Sequence, residues 1–248
     1  MEIQLIDYTK LKTEYKIAYR KYRKYYEITK SNQIIGCFAA YENEFHSKHM
    51  YIQPDFKFDE KVDSKSIFSY IKKYFKKPLQ IMIDSIELEI IHKIEHAGFI
   101  LKRKCYEREF TKDKLKNLIV EKDNLRYAQK ESKVYLEFSE KYYLYYKKTH
   151  EGISPLTAEK IDFYMNLPER IIYDEQNNVC FIKESEIYYV LGHDERSFVQ
   201  FIRQVLDYLY KQYDTVCFEA DNTDPYATLL KNLFTDTDNT SFNTYILD

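Results

Sequence analysis

The sequence predicts an α/β (α+β) chain of two similar halves, each a mixed, mostly antiparallel sheet flanked by helices. Alternating apolar positions mark strands, 3.6-residue spacing marks helices, and the two occur in the same order twice. Gln33-Ile-Ile-Gly-Cys37-Phe38 in the first half answers Gln176-Asn-Asn-Val-Cys180-Phe181 in the second at an offset of 143, whereas the opening strands at Ile3 and Leu125 are offset by 122. The difference of 21 is the size of one extra helix and turn near Leu156–Asn166. Charge divides the chain in the same place. Residues 1–124 hold 25 Lys/Arg against 19 Asp/Glu, a net of +6, and residues 125–248 hold 13 against 21, a net of -8. Domains are therefore expected at 1–115 and 120–248, with the break within Lys112–Asp123.

In order, Glu2–Asp7 alternates as a strand and Leu11–Lys24 has the apolar spacing of an amphipathic helix. Tyr26–Lys30, Gln33–Tyr41 and Lys48–Ile52 form a meander of three strands. Asp63 or Ser64 caps a helix over Ser64–Lys76 that turns Ile67, Phe68 and Ile71 inward and stops before Pro78. Leu79–Ile83 is a strand, Ile86–Ala97 a helix ended by Gly98, and Phe99–Phe110 a closing strand or hairpin. The second half follows with strand Leu125–Gln129 and the tyrosine-rich helix Glu131–His150. Ser154-Pro155 opens a helix over Leu156–Asn166, with proline near its start. Strands Arg170–Asp174, Val179–Lys183 and Ile187–Leu191 precede the long helix Ser197–Tyr213. Strand Thr215–Ala220, helix Pro225–Phe234 and strand Ser241–Leu247 complete the set.

Composition removes several classes of function. A chain of 248 residues with average usage would hold about 17 glycines, and this one has four, at 36, 98, 152 and 192. Dinucleotide G-x-G-x-x-G loops, G-x-x-x-x-G-K phosphate loops and G-x-S-x-G nucleophile elbows are thereby excluded. Cys37, Cys105, Cys180 and Cys217 are far apart in apolar or β-branched runs, as buried free thiols of a reducing compartment would be. Met1-Glu2-Ile3-Gln4 shows no basic region followed by an apolar stretch, and no apolar run approaches the ~18 residues of a membrane span. A cytoplasmic protein without a membrane partner is expected. His92-Lys93-Ile94-Glu95-His96 has the H-x-x-E-H spacing of a zinc helix but runs directly into Ala-Gly-Phe, and it reads as a solvated helix face. His46 and His49 give no stronger indication, so no metal is expected. Arg20-Lys-Tyr-Arg-Lys-Tyr-Tyr26 interleaves bases and aromatics, but the overall charge of -2 argues against nucleic acid. Tyr142-Tyr143-Leu144-Tyr145-Tyr146 reads first as packing and second as a pocket wall.

The order of a strand, one or two helices, a three-strand meander, a helix, a strand, a helix and a last hairpin resembles the GNAT acyltransferases, here as two tandem acyl-CoA N-acyltransferase-like domains. In that family the fourth strand ends in V-x-P-x-x-R-G-x-G-x and opens a helix whose backbone N–H groups hold the coenzyme A pyrophosphate. The last helix carries N-x-x-A-x-x-x-Y-x-x-x-G-F. The first half keeps Ile52, Pro54 and Ala97-Gly98-Phe99. Its phosphate loop would be Asp55–Asp63 with Lys57 at the arginine place, and Glu87 and Ile94 stand at the asparagine and tyrosine places. The second half keeps Leu191 at the valine place, Arg196, and Ser197 and Val199 at glycine places. Asn222 and Phe234 keep the family's spacing of twelve, and Leu229 replaces the tyrosine, with Tyr226 one turn earlier.

The resemblance implies acetyl transfer from acetyl-CoA to an amine of a small molecule or peptide. It places the coenzyme in the second half on Tyr189, Val190, Leu191, Gly192, Arg196, Ser197, Phe198, Val199 and Asn222. Tyr226 becomes the candidate proton donor, and Glu219 or Glu186 the candidate base, acting through water. Asp194 and Glu195 oppose this site, since carboxylates repel a pyrophosphate; they read equally as ordinary acids of a helix N-terminus. Strand alternation sets Glu186 with Tyr188 and Val190, opposite Ile187, Tyr189 and Leu191, unless the bulge usual in that family intervenes. Two other readings are a duplicated fold that has lost its chemistry and serves as a binding or scaffold protein, and an aminoacyl-tRNA-dependent transferase.

Overall fold

The computed structural model describes residues 1–11, 17–56, 63–116 and 124–248. The expected boundary Lys112–Asp123 and the phosphate loop Asp55–Asp63 with Lys57 lie largely outside these residues. The chain divides into two compact units: Met1–Lys102 with Gly152–Ala158 and Asn243–Asp248, and Arg103–Glu151 with Glu159–Phe242.

Unit 1 is a sheet in the order β1 (Glu2–Ile6), β2 (Lys24–Lys30), β3 (Gln33–Asn43), β4 (His46–Phe56), β5 (Leu79–Asp84) and β12 (Phe242–Leu247). The first four strands pair antiparallel and β4 runs parallel to β5. Unit 2 repeats the order with β7 (Arg126–Gln129), β8 (Arg170–Tyr173), β9 (Val179–Lys183), β10 (Glu186–Leu191), β11 (Thr215–Asp221) and β6 (Ile100–Thr111). Its pairings are again antiparallel except for the parallel pair β10–β11. Cys37 and Cys180 both lie on the third strand of their unit. The last strand of each half closes the other unit's series, so the sequence halves and the compact units are not the same sets of residues.

Helices α1 (Ser64–Phe75) and α2 (Leu88–His96) cover unit 1, with Ile67, Phe68, Ile71 and Ile94 in its core. Asp63 caps α1 by accepting from the N–H groups of Lys65 and Ser66. Gly98, at φ +98°, ends α2 in the left-handed region that glycine adopts freely. In unit 2, α5 (Glu195–Tyr210) buries Phe198, Phe201, Ile202, Val205, Leu206 and Leu209, one i, i+3, i+4, i+7 face against the sheet. Helices α3 (Lys133–His150), α4 (Lys160–Met165) and α6 (Pro225–Asn232) complete the unit.

Two expected helices differ. Residues 17–23 are irregular, and 12–16 of the same expected helix lie outside the described residues. Ile17 is buried beside Tyr25, and the Tyr25 hydroxyl accepts the Arg20 N–H at 2.6 Å, so tertiary contacts override the amphipathic pattern. Ser154-Pro155 opens no helix: α4 begins only at Lys160. Residues 152–158 instead lie along the turn between β3 and β4, with the Thr157 N–H on the Phe45 carbonyl at 2.8 Å and the Tyr51 hydroxyl 3.1 Å from Ser154 Oγ. Proline suits an extended segment as well as a helix start.

Candidate active site

In unit 2 the parallel strands β10 and β11 pair only at Glu186↔Cys217 and Ile187↔Phe218 before they part. Beside this opening, β10 carries a bulge: Ile187 faces Ile182 and Tyr189 faces Phe181, leaving Tyr188 as the extra residue. The bulge corrects the simple alternation. Val190 joins Ile187 in the core under α5 rather than lying opposite it, and Tyr189 turns to α3, its ring 4.9 Å from that of Tyr142.

A pocket of about 140 Å³ occupies the opening. Its walls are Tyr142, Tyr146 and His150 of α3, Ile187–Val190 of β10, and Ala227 and Leu230 of α6, with Arg103, Glu219, Asp221 and Asp224 as its charged groups. Register explains the charge. Cys105 opposes Asp221 and Glu107 opposes Glu219, so period-two side chains of β6 and β11 meet on one face. Arg103 Nη1 donates to Asp221 at 2.9 Å. Burial works against the Arg103 charge, but Asp221, Cys105 and Tyr146 together more than offset it, and the guanidinium pKa lies above its ordinary value.

Glu219 stands at the mouth. Partial burial raises its pKa, neighbouring Glu107 and Asp221 add to the rise, and Arg103 only partly opposes it. Cys105 Sγ lies 3.7 Å from Glu219, and burial together with the carboxylates pushes the thiol up, so it stays protonated. Burial raises Tyr189 to about 12 and raises Tyr142 well above the usual phenol range, so both keep their protons at neutral pH. Asp224 caps α6 through the N–H groups of Tyr226 and Ala227 and accepts the Tyr145 hydroxyl at 2.6 Å. Burial nonetheless raises the Asp224 pKa. Asp224→Ala should destabilise the protein by about 2–3 kcal/mol, from a lost cap and an unpartnered hydroxyl. Thermal unfolding checks this, and in Tyr145→Phe the same replacement should cost only the cap.

Of the other residues expected at the site, Tyr189, Val190 and Glu219 line the pocket, and Glu186 and Tyr226 do not. Glu186 hydrogen-bonds Tyr188, which does line it. Tyr226 packs on Gly192: a Cβ at Gly192 would lie 2.4 Å from the Tyr226 ring and 2.7 Å from Phe198, so only glycine permits this approach. Its ring also meets Phe198 at 4.9 Å and Tyr145 at 5.8 Å. Asn222 pairs with Lys104, its N–H on the Lys104 carbonyl at 2.9 Å and its Oδ1 accepting the Lys104 N–H at 2.8 Å. It therefore extends the β11–β6 ladder. Phe198 is core, Val199 is packed beside it, and Leu191 ends β10. Arg103, Asp221, Asp224 and His150 were not singled out from sequence; the Asp-x-x-Asp-Pro run at 221–225 was the one available signal.

At the start of α5, Arg196 is exposed on a depression of about 570 Å³ shared with Gln176, Asn177, His193, Asp194, Ser197 and Gln200. Here Asp194 Oδ1 accepts the N–H groups of Arg196 and Ser197 at 2.9 and 3.0 Å, and Oδ2 accepts Ser197 Oγ at 2.9 Å. The donors thus converge on an anion, and the chain's own carboxylate stands in for it. That donor set fits an anionic group of the coenzyme A kind. Elsewhere, His92, Glu95 and His96 are exposed on α2, and His49 Nδ1 lies 3.2 Å from Gln80 Oε1. Among the described residues no group of three or more His, Cys, Asp or Glu side chains is arranged to hold a metal ion.

Strand order, the β10 bulge and the parting of β10 from β11 define the fold of the GCN5-related N-acetyltransferases, and a solved structure agrees. A GCN5-related N-acetyltransferase from Sphaerobacter thermophilus superposes with TM-score 0.50 at 7% identity, covering 89% of this chain and 79% of that one. A GNAT-family acetyltransferase from Colwellia psychrerythraea matches at TM-score 0.47 and 10% identity over 100% of both chains. A tandem GNAT protein from the clavulanic acid biosynthesis pathway matches at TM-score 0.47 and 5% identity, over 91% and 82% of the two chains. No protein-family model and no curated protein matches the sequence. The chain therefore has the acetyltransferase fold. Among the described residues no helix is long and apolar enough to cross a membrane.

Proposed function

We propose that the protein is an N-acetyltransferase that moves an acetyl group from acetyl-CoA to an amine of a small molecule or peptide, with unit 2 as the working site. The observation that carries this reading is the pocket in the opening between β10 and β11, next to the bulge and lined by an acid whose pKa is raised. Bound acetyl-CoA would supply a thioester acyl group and a thiolate leaving group. The α5 start would hold its phosphates through the N–H groups of Arg196 and Ser197, the Ser197 hydroxyl and the Arg196 side chain.

The tyrosine walls and the carboxylates favour an amine that arrives as an ammonium ion. Glu219, directly or through a water, takes the proton that must leave before nitrogen can attack. The C–N bond forms, the C–S bond breaks, the thiolate takes one proton from a donor, and the second amine proton restores that donor. Tyr226 keeps its proton, since burial and Asp194, Glu195 and Asp224 all raise its pKa, and it is the candidate donor to sulfur. Glu186 acts at one remove by orienting Tyr188. The four free cysteines suit a reducing, cytoplasmic setting.

Calorimetry with acetyl-CoA tests the reading. Binding is expected in the wild type and at least tenfold weaker binding in Arg196→Glu, with acetyl transfer to one member of a primary-amine panel. Absence of binding to any acyl-coenzyme A would leave the scaffold reading.

A further inference from the structure

The pocket between β10 and β11 is unbalanced in charge. One guanidinium, Arg103, meets three carboxylates, Glu219, Asp221 and Asp224, which leaves a formal excess of two negative charges. Arg103 Nη1 donates to a single oxygen of Asp221, Oδ2, at 2.9 Å. The Cys105 thiol, a weak donor, also lies against Asp221. Asp221 Oδ1 is nevertheless buried with no hydrogen-bond partner among the described residues. Asp224 is one-sided too. The Tyr145 hydroxyl and the N–H groups of Tyr226 and Ala227 all end on its Oδ1, and none of them reaches Oδ2. Buried carboxylates left short of donors are costly, and a cation is the partner that relieves the cost.

The neutral walls suit such a ligand. Tyr142, Tyr146, Tyr188 and Tyr189 line the pocket, with the Tyr142 and Tyr189 rings 4.9 Å apart. Phenol faces take both an alkyl stem and an ammonium head. At about 140 Å³ the pocket is smaller than the ~300 Å³ at which sites for drug-sized ligands begin, so it takes a small molecule or a single side chain. Glu219 and Asp221 stand two residues apart on one face of β11, about 7 Å along the strand. We propose, resting on the acetyltransferase reading above, that the acceptor is a short-chain diamine bound as a dication. Its inner ammonium sits at Asp221 and Asp224, and its outer nitrogen lies at Glu219, which takes the proton there. The C–N bond forms at that outer nitrogen and the C–S bond of acetyl-CoA breaks, with the protons moving as in the transfer above. Acetylation turns the outer ammonium into a neutral amide, so the product matches the charge of the pocket less well than the substrate. A lysine side chain entering from a peptide would likewise bring only one cation.

Calorimetry on the full chain with coenzyme A bound tests this by comparing putrescine, a diamine, with butylamine, which has the same carbon chain and only one charge. Putrescine is expected to bind about tenfold more tightly or better, the scale of one hydrogen bond to a charged group. Asp224→Asn keeps a side-chain cap on α6 but loses the charge. It should abolish that preference while changing butylamine affinity little. With acetyl-CoA, mass spectrometry should show singly acetylated putrescine and little of the doubly acetylated product. Should Asp224→Asn not fold, the comparison of the two amines on the wild type decides alone. Equal affinities, with coenzyme A still binding, would overturn the diamine and leave the acetyltransferase reading standing. A lysine peptide bound as tightly as putrescine would do the same. Failure to bind coenzyme A would remove that reading and the proposal with it.

Discussion

Replacing Arg108 with Met is expected to destabilise the protein by about 3 kcal/mol, the low end of the range for removing one partner of a buried ion pair. Arg108, 5% exposed, lies on β6 and reaches the segment that follows α6. Its Nε donates to Asp236 at 2.7 Å, and its Nη2 donates to the carbonyls of Asp238 and Thr240 at 2.6 and 3.0 Å. The segment 235–241 has no regular structure, so these bonds take the place of a helix or strand ladder. Asp236, 9% exposed, would keep only Lys231, at 3.3 Å, and the Asp238 N–H, at 3.0 Å. Arg108→Lys should recover only part of the loss, since an ammonium cannot reproduce the planar fork. The pH dependence follows from Asp236. Burial pushes its pKa up, but Arg108, the Asp238 N–H and Lys231 more than offset this and hold it below the ordinary value of 3.8. A depressed carboxyl pKa contributes stability that is present above pH 3.8 and lost as pH falls through the folded value. The difference between wild type and Arg108→Met in urea unfolding should be greatest near neutrality and shrink below pH 3.8. A difference that does not change with pH would mean that packing, not charge, holds the segment.

The strands were legible because their patterns are local. The apolar run Val179–Ile182 places Cys180 in the core, and the i, i+3, i+4 face of α5 marks that helix. Likewise Asp63 and Pro225 mark helix starts where the sequence places them, whereas the Ser132 cap lies one residue inside the expected start at Glu131. What failed locally was decided at a distance. Residues 152–158 have a helix-start signature, yet Phe45, more than 100 positions earlier, takes their N–H groups. The bulge at Tyr188 has no glycine to announce it, and without it Val190 falls on the wrong face. The charged floor of the pocket depends on register between β6 and β11, which brings Arg103 to Asp221 across 118 positions. No periodicity within either strand encodes that pairing. Asp194 is the intermediate case. Its position at a helix start was readable, but whether its carboxylate occupied the donors or pointed to solvent was a matter of one rotamer.

Glu219→Gln is expected to lower kcat for acetyl transfer about a hundredfold or more, the scale of losing a general base, while leaving coenzyme A binding unchanged. Glu219 is suited to the role because its surroundings make it a better base than an ordinary carboxylate. Partial burial comes first, then the charges of Glu107 and Asp221, and together they raise its pKa above 4.5. The acidic limb of kcat/KM should therefore lie above the ordinary carboxylate range in the wild type and disappear in the variant. The same shift predicts an effect that needs no substrate. A carboxyl whose folded pKa is raised contributes stability that is present below its unfolded pKa and is lost as pH rises through the folded value. Above that value the wild type holds a charge that its environment disfavours, and glutamine removes it. Glu219→Gln should thus melt higher than the wild type at neutral pH, and the advantage should vanish below about pH 4.5. Glu186→Gln, outside the pocket lining, should show neither the stabilisation nor the hundredfold loss. If the two variants behave alike in both measurements, Glu219 is not the base. A wild type less stable than Glu219→Gln is the expected mark of a carboxylate held where charge is costly, as the base of the proposed reaction would be.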